Sequence, residues 1–194
     1  MQAGTVAAIL GGGAGRRIGG RKALVVLRGA PLAEHVARAL RPFSKKLAMV
    51  GDAEAAARIG GVSLTDPPGF PAGPLSGICA ALEWALSENA TFVIVAPCDM
   101  PLLTQDVIAR LGEVASVANK VVCAETADGL QPLVSIWRSD LAGWLKTELS
   151  GGHPSVRDVL AHAGFERIMF PNADTFLNVN TPENLRLAET LLGA

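Results

Sequence analysis

The stretch Thr5-Val-Ala-Ala-Ile-Leu10-Gly-Gly-Gly-Ala-Gly-Arg-Arg-Ile-Gly-Gly-Arg-Lys22 decides how the chain is read. Its first six residues form a continuous apolar run that ends at glycine, the pattern of a strand buried on both faces of a parallel sheet. Twelve residues rich in glycine and arginine follow, whereas most strand-to-helix connections in compact domains span 2–6 residues. Six glycines fall within Gly11–Gly20. They let backbone N–H groups approach a ligand closely, and successive inward N–H groups form an anion nest. Arg16, Arg17, Arg21 and Lys22 bring four cations to the same segment. A polyphosphate is the guest that such a segment suits. It is not a Walker A loop, because Arg21 and Lys22 follow Gly15–Gly20 where Lys-Ser/Thr is required. Ile18 likewise breaks the GxGxxG dinucleotide spacing.

Outward from this segment, strands alternate with helices. Ala23–Leu27 is an apolar run closed by Gly29, and the next helix starts near Pro31 with Leu32, Val36 and Leu40 on one stripe. Leu47–Val50, Val62–Thr65 and Phe92–Ala96 read as strands. The helices between them are an Ala-rich one around Ala53–Arg58 and one capped by Ser76 that runs to about Glu88. Thr104 caps a further helix with Val107, Leu111, Val114 and Ala118 inward. Val121–Glu125 and Leu133–Trp137 form a hairpin through Asp128-Gly129. A helix near Asp140–Leu149, a capping box at Ser155–Asp158, a strand at Ile168–Phe170 and a helix opened by Thr181-Pro182-Glu183 complete the chain. This order predicts an α/β three-layer sandwich: a mostly parallel, Rossmann-like sheet with one antiparallel excursion, in a single domain over 1–194.

Composition agrees and excludes alternatives. The chain has 194 residues, 49% of them hydrophobic, with 17 Lys+Arg against 18 Asp+Glu and a formal net charge of −1. That length buries roughly 70% of the unfolded surface without disulfide or metal staples. Near-neutrality excludes a general nucleic-acid binder, which needs a basic excess to displace counterions. No apolar run approaches the ~18 residues of a membrane span, and Met1–Thr5 lacks the basic start of a signal peptide. Cys79, Cys98 and Cys123 are odd in number and widely spaced, which points to reduced thiols and a cytoplasmic protein. Glycine alone departs from average usage, at 21 residues, and clusters in the segment quoted above.

Four blocks in order carry a family resemblance: Leu10-Gly-Gly-Gly-x-x-x-Arg17-Ile-Gly19-x-x-Lys22, Gly73-Pro74-Leu75-Ser76-Gly77, Pro97-Cys98-Asp99-Met100-Pro101-Leu102 and Asn178-Val-Asn180-Thr181-Pro182-Glu183. Together they resemble the molybdenum cofactor guanylyltransferase family, nucleotidylyltransferases with a glycosyltransferase-A-like (nucleotide-diphospho-sugar transferase-like) fold. Gly11 stands where that pattern has alanine, Ile18 where it has methionine, and Arg21 where it has aspartate.

The resemblance implies transfer of GMP from GTP to the terminal phosphate of Mo-molybdopterin, with pyrophosphate released and Mg²⁺, or Mn²⁺ in its place, as the metal. It implies that Leu10, Gly11, Gly12, Gly13, Lys22, Asp52, Asp66 and Asp99 hold the nucleotide, Asp52 matching a family asparagine near the base. Asp99 then holds the metal and Lys22 and Arg17 serve the phosphates. Asp99 follows the strand Phe92–Ala96, where open α/β sheets bind ligands, and one carboxylate plus substrate phosphates is the usual way to hold Mg²⁺. Asp66, before Pro67-Pro68, also has a reading as a turn former. Asn178 and Asn180, two apart in an extended segment, face one side, as supports for metal or second substrate or as turn formers. Arg157 and Arg138 are either acceptor-phosphate residues or solvated ones, and His153 in Gly151-Gly152-His153-Pro154 reads as structural. A phosphomonoester with a second pKa of ~6 is already a dianion at neutral pH, so its attack needs no general base.

The residues leave open a relative that uses CTP or another phosphorylated acceptor, or a non-catalytic nucleotide-binding module. Partners implied by the resemblance are GTP, Mo-molybdopterin, and molybdenum-insertion and molybdoenzyme-maturation proteins.

Overall fold

The computed structural model describes residues 4–11, 21–70, 73–116 and 119–193. Its elements are β1 (Thr5–Leu10), β2 (Val26–Leu27), β3 (Ala30–Pro31), α1 (Leu32–Leu40), β4 (Leu47–Val50), α2 (Ala53–Arg58), β5 (Val62–Leu64), α3 (Pro74–Ser87) and β6 (Phe92–Pro97). They continue with α4 (Gln105–Val114), β7 (Val121–Thr126), β8 (Gly129–Arg138), α5 (Ala142–Ser150), α6 (Val156–Ala163), β9 (Glu166–Met169) and α7 (Pro182–Leu191). β2 and β3 pair as a small separate hairpin.

Seven strands form the central sheet in the order β5-β4-β1-β6-β8-β7-β9. Only β8 runs against the rest, pairing antiparallel with β6 and β7, which is the single excursion expected from the sequence. The apolar runs become its centre because strand period and burial agree. Ala7 and Ile9 face one layer and Val6, Ala8 and Leu10 the other, so every residue of β1 is buried. Ile94 and Val95 in β6 divide in the same way. One face is covered by α1, α2 and α4, through residues such as Val36, Ala55 and Leu111. The other is covered by α3, α5 and α6, through residues such as Leu82, Leu145 and Leu160. Each fully buried aliphatic side chain of this kind contributes about 1.5–3 kcal/mol. Among the described residues no helix is long and apolar enough to cross a membrane.

Three expectations needed correction. The helix assigned to a Ser76 cap begins three residues earlier, with Gly73 at the N-cap and Pro74 in the first turn. Proline's missing N–H costs nothing at that position, so it outcompetes the serine as a start signal. Thr104 occupies the N-cap of α4 but makes no side-chain cap bond. β8 extends well before Leu133 because it absorbs an irregularity: Cys123 pairs with Ser135, yet Ala124 pairs with Gln131. Pro132 lies within the unmatched residues. Lacking an N–H, it cannot join a ladder and is placed at a bulge. By contrast, Ser155 and Asp158 form the full capping box, and the Thr181 side chain caps α7.

Candidate active site

β1 and β6 lie side by side, with Leu10 level with Pro97, and β4 lies on the other side of β1. The chain leaves β1 toward β4 on one side and reaches β6 on the other. Ligands bind at such a switch, beyond the carboxyl ends of the strands. A cavity of about 440 Å³ opens there. Leu10, Val50, Pro74 and Gly77 make its apolar wall, and Lys22, Asp66, Asp99 and Asn178 its polar groups. Gly77 is closely packed: a Cβ there would lie 3.0 Å from Leu10 Cδ2 and 3.5 Å from Val50 Cγ1. A side chain at this position would fill the hollow.

Lys22 is the first residue of a short 3₁₀ turn, Lys22–Leu24, and its side chain reaches inward. Its Nζ donates to Asp99 Oδ2 at 2.8 Å and also to Asn180 Oδ1. The Asp99 side chain is 12% exposed and that of Lys22 19%, so their ion pair sits largely out of water. The backbone N–H of Val179 donates to the Asp99 carbonyl at 2.8 Å, tying the segment before α7 to the end of β6. Val179 itself is fully buried, against Leu27, Leu32 and Ala188. This burial turns the flanking Asn178 toward the cavity and Asn180 toward Lys22, so both amides of the Asn-Val-Asn segment lie on one side.

Asp66 stands on the cavity wall, where burial pushes its carboxyl above the usual carboxylate value. Cys98 lines the cavity too, but burial first, and Asp99 next to it, push its thiol up to about 12. It remains protonated at neutral pH and is no nucleophile. The described residues hold no cluster of three or more His, Cys, Asp or Glu for a metal. The hard oxygens present, one carboxylate with two amide groups near it, suit a divalent cation that takes its remaining ligands from phosphates and water.

Other candidates fall elsewhere. Gly12, Gly13 and Arg17 lie outside the described residues. Gly11 N–H donates to the Val50 carbonyl at 2.9 Å. A Cβ at Gly11 would come within 2.8 Å of that carbonyl oxygen, which accounts for glycine where the family pattern has alanine. Asp52 caps α2 by accepting from Ala55 N–H at 3.0 Å and is ion-paired with Arg21. Arg157 donates to the Leu130 carbonyl at 3.2 Å, at the β7–β8 hairpin and thus on the same end of the sheet as the cavity. Arg138 pairs with Asp140 and is level with Phe92 at the start of β6, the opposite end. His153 lies exposed near the start of α3, beside a shallow hollow of about 260 Å³.

Sequence reasoning missed Leu133, which the bulge at Pro132 brings to the cavity, and the walls Val50 and Gly51. Pro132 inside a strand pattern was the available signal for the first.

The MobA-like NTP transferase domain matches residues 7–174. A molybdenum cofactor guanylyltransferase from Cereibacter sphaeroides is 39% identical over 193 residues, covering 95% of each chain. Another from Acidiphilium cryptum (strain JF-5) is 33% identical over 188 residues, 94% of this chain and 93% of that one. Among solved structures, molybdopterin-guanine dinucleotide biosynthesis protein A from Archaeoglobus fulgidus superposes with a TM-score of 0.77 at 26% identity, covering 96% of this chain and 98% of that one. A cavity at the switch point, an ion-paired lysine and carboxylate in its lining, and relatives that align almost end to end agree: the chain belongs to the MobA-like NTP transferase family and is a nucleotidyltransferase.

Proposed function

We propose that the protein transfers GMP from GTP to the terminal phosphate of Mo-molybdopterin and releases pyrophosphate. The observation that carries this reading is the Lys22–Asp99–Asn180 cluster, whose Lys22 and Asp99 line a cavity together with Asp66. Guanine presents two donors side by side, N1–H and the N2 amine. The carboxylate of Asp66, partly desolvated, accepts both, and the two bonds offset the cost of burying its charge. Adenine offers an acceptor at N1 and leaves that charge unmatched. The apolar wall of Leu10, Val50 and Pro74 takes the face of the ring.

Lys22 donates to the triphosphate, with Arg17 as its assigned companion, and Asn178 and Asn180 orient phosphate oxygens of the two substrates. Asp99, with the two asparagine amides nearby, would hold Mg²⁺, or Mn²⁺ in its place, which when bound neutralises charge on the α-phosphate. An oxygen of the acceptor phosphate forms the new bond to the α-phosphorus. The bond from that phosphorus to the α–β bridging oxygen breaks, and pyrophosphate leaves with the electron pair. The acceptor is already a dianion, so no proton is transferred, and catalysis consists of positioning and charge neutralisation. Arg157, on the same end of the sheet, is the candidate for the acceptor's anionic groups.

The sheet from β1 to β9, with α7 packed back on its strand-end hairpin, supports one domain over the chain. Three buried free cysteines support a cytoplasmic setting, in which the product passes to molybdenum-insertion and molybdoenzyme-maturation proteins. The test is pyrophosphate release from GTP with Mg²⁺ and Mo-molybdopterin. Release with GTP but not with CTP or ATP is expected. Release with CTP alone, or GTP binding with no release, would replace this reading by a cytidylyltransferase or a binding module.

A further inference from the structure

We propose that Arg21 is a positioning residue, which clamps the chain just before Lys22 to the start of α2 and thereby holds Lys22 at the phosphate site. The inference rests on the functional reading above and adds a residue to it.

Arg21 immediately precedes Lys22. Its guanidinium makes a two-bond contact with the Asp52 carboxylate, one of the two bonds being Nε to Oδ2 at 3.2 Å, and a third bond to Glu54 Oε2 at 2.5 Å. Asp52 is a fixed post: its side chain is 6% exposed, and Oδ1 caps α2. Burial alone would push the Asp52 carboxyl up, but the Arg21 and Ala55 hydrogen bonds outweigh it and hold the group below its usual value. Asp52 is also packed beside Gly11. A Cβ at Gly11 would lie 3.6 Å from Asp52 Cβ, and Gly11 N–H is held by Val50 O. The Arg21 carbonyl accepts from Leu24 N–H at 3.0 Å and closes the turn that carries Lys22. That turn is thus anchored in two directions, by Arg21 to α2 and by Lys22 to Asp99 and Asn180. Arg suits the first anchor because its planar fork matches a carboxylate with two parallel bonds.

A lysine ammonium held within a small radius of its target loses less freedom on binding a phosphate, which is the benefit of preorganisation. Releasing Arg21 allows Lys22 to sample positions away from Asp99, so both nucleotide binding and the chemical step suffer.

The variants are Arg21→Ala, Arg21→Lys, Asp52→Asn and the Arg21→Ala/Asp52→Asn double. Asparagine keeps the α2 cap, since it caps as well as aspartate. Thermal melting identifies any variant that fails to fold. Two readouts follow. The first is the acetylation rate of Lys22 under limiting acetic anhydride, resolved by mass spectrometry and normalised to the exposed Lys120. It should rise about tenfold in Arg21→Ala and Asp52→Asn, about threefold in Arg21→Lys, and no further in the double variant. The second is steady-state turnover, where KM for GTP should rise about tenfold in Arg21→Ala, with partial recovery in Arg21→Lys. Unchanged Lys22 labelling in Arg21→Ala, or single-variant effects that multiply in the double, would overturn the proposal. The labelling needs no nucleotide, so a wild-type protein inactive toward GTP would overturn the functional reading while the clamp is still decided.

Discussion

Replacing Asp99 by asparagine keeps the shape of the site and removes one charge. In the free protein Asp99 Oδ2 lies 2.8 Å from Lys22 Nζ, with both side chains largely buried. Opposite charges at that separation attract by about 6 kcal/mol at an effective dielectric of ~20, and desolvation cancels most of it. The asparagine oxygen still accepts from Lys22, so the expected net loss of stability is about 1–2 kcal/mol. For a chain of this size that lowers Tm by about 2–8 °C. The effect on turnover is far larger. Losing a preorganised electrostatic partner of the transition state costs about 10²–10³-fold in kcat, equivalent to ~2.7–4 kcal/mol.

Titration calorimetry with GTP separates the causes. With chelator present, the wild-type carboxylate repels the triphosphate and competes for Lys22, so Asp99→Asn should bind GTP severalfold more tightly than wild type. With Mg²⁺ present the order should reverse, because wild type gains affinity from the metal and the variant does not. Wild-type turnover in Asp99→Asn, or the same gain in GTP affinity on adding Mg²⁺ in both proteins, would refute the assignment of Asp99.

Asp66→Asn should reduce the preference for GTP over ATP by about 10–100-fold, since a carboxamide presents one donor to guanine's two; nucleotide competition assays would detect this. Wild type should also bind ITP, which lacks the N2 amine, more weakly than GTP. Leu111, fully buried on α4, should cost about 3 kcal/mol when truncated to alanine and lower Tm by roughly 6–12 °C in calorimetry, without altering KM. Asp52 is held below the usual carboxylate range, so the unfolded chain binds its proton first as pH falls. Its contribution is complete above the unfolded value of ~3.9 and is lost as pH falls through the lower folded value. Denaturant titrations across that acid range should show a shallower pH dependence for Asp52→Asn than for wild type.

The layer order, the two buried central strands and the single reversed strand were legible in the chain because each rests on local signals. Continuous apolar runs bounded by glycine specify β1 and β6, and period-four stripes specify α1 and α4. The capping box at Ser155 is also local. Asp99 was legible as well, since any residue just past a central parallel strand lies at the ligand end of the sheet. The local bonds of Gly11 and Asp52 were not legible: the first donates its N–H to the Val50 carbonyl, and the second caps a helix and pairs with Arg21.

What only the tertiary structure decided is the set of pairings between residues far apart in sequence. Lys22 meets Asp99 across 77 positions and Asn180 across 158, and Arg21 meets Asp52 across 31. No periodicity or cap predicts such meetings, because they follow from strand order and register, which bring separate strand ends together. The lone chain showed an arginine where the family pattern has an acid; the fold supplied the buried carboxylate that makes it a clamp. The sequence by itself therefore determined which elements form and which end of the sheet binds ligand. Side-chain geometry across that end, set by non-local packing, decided which of the candidate residues share one site.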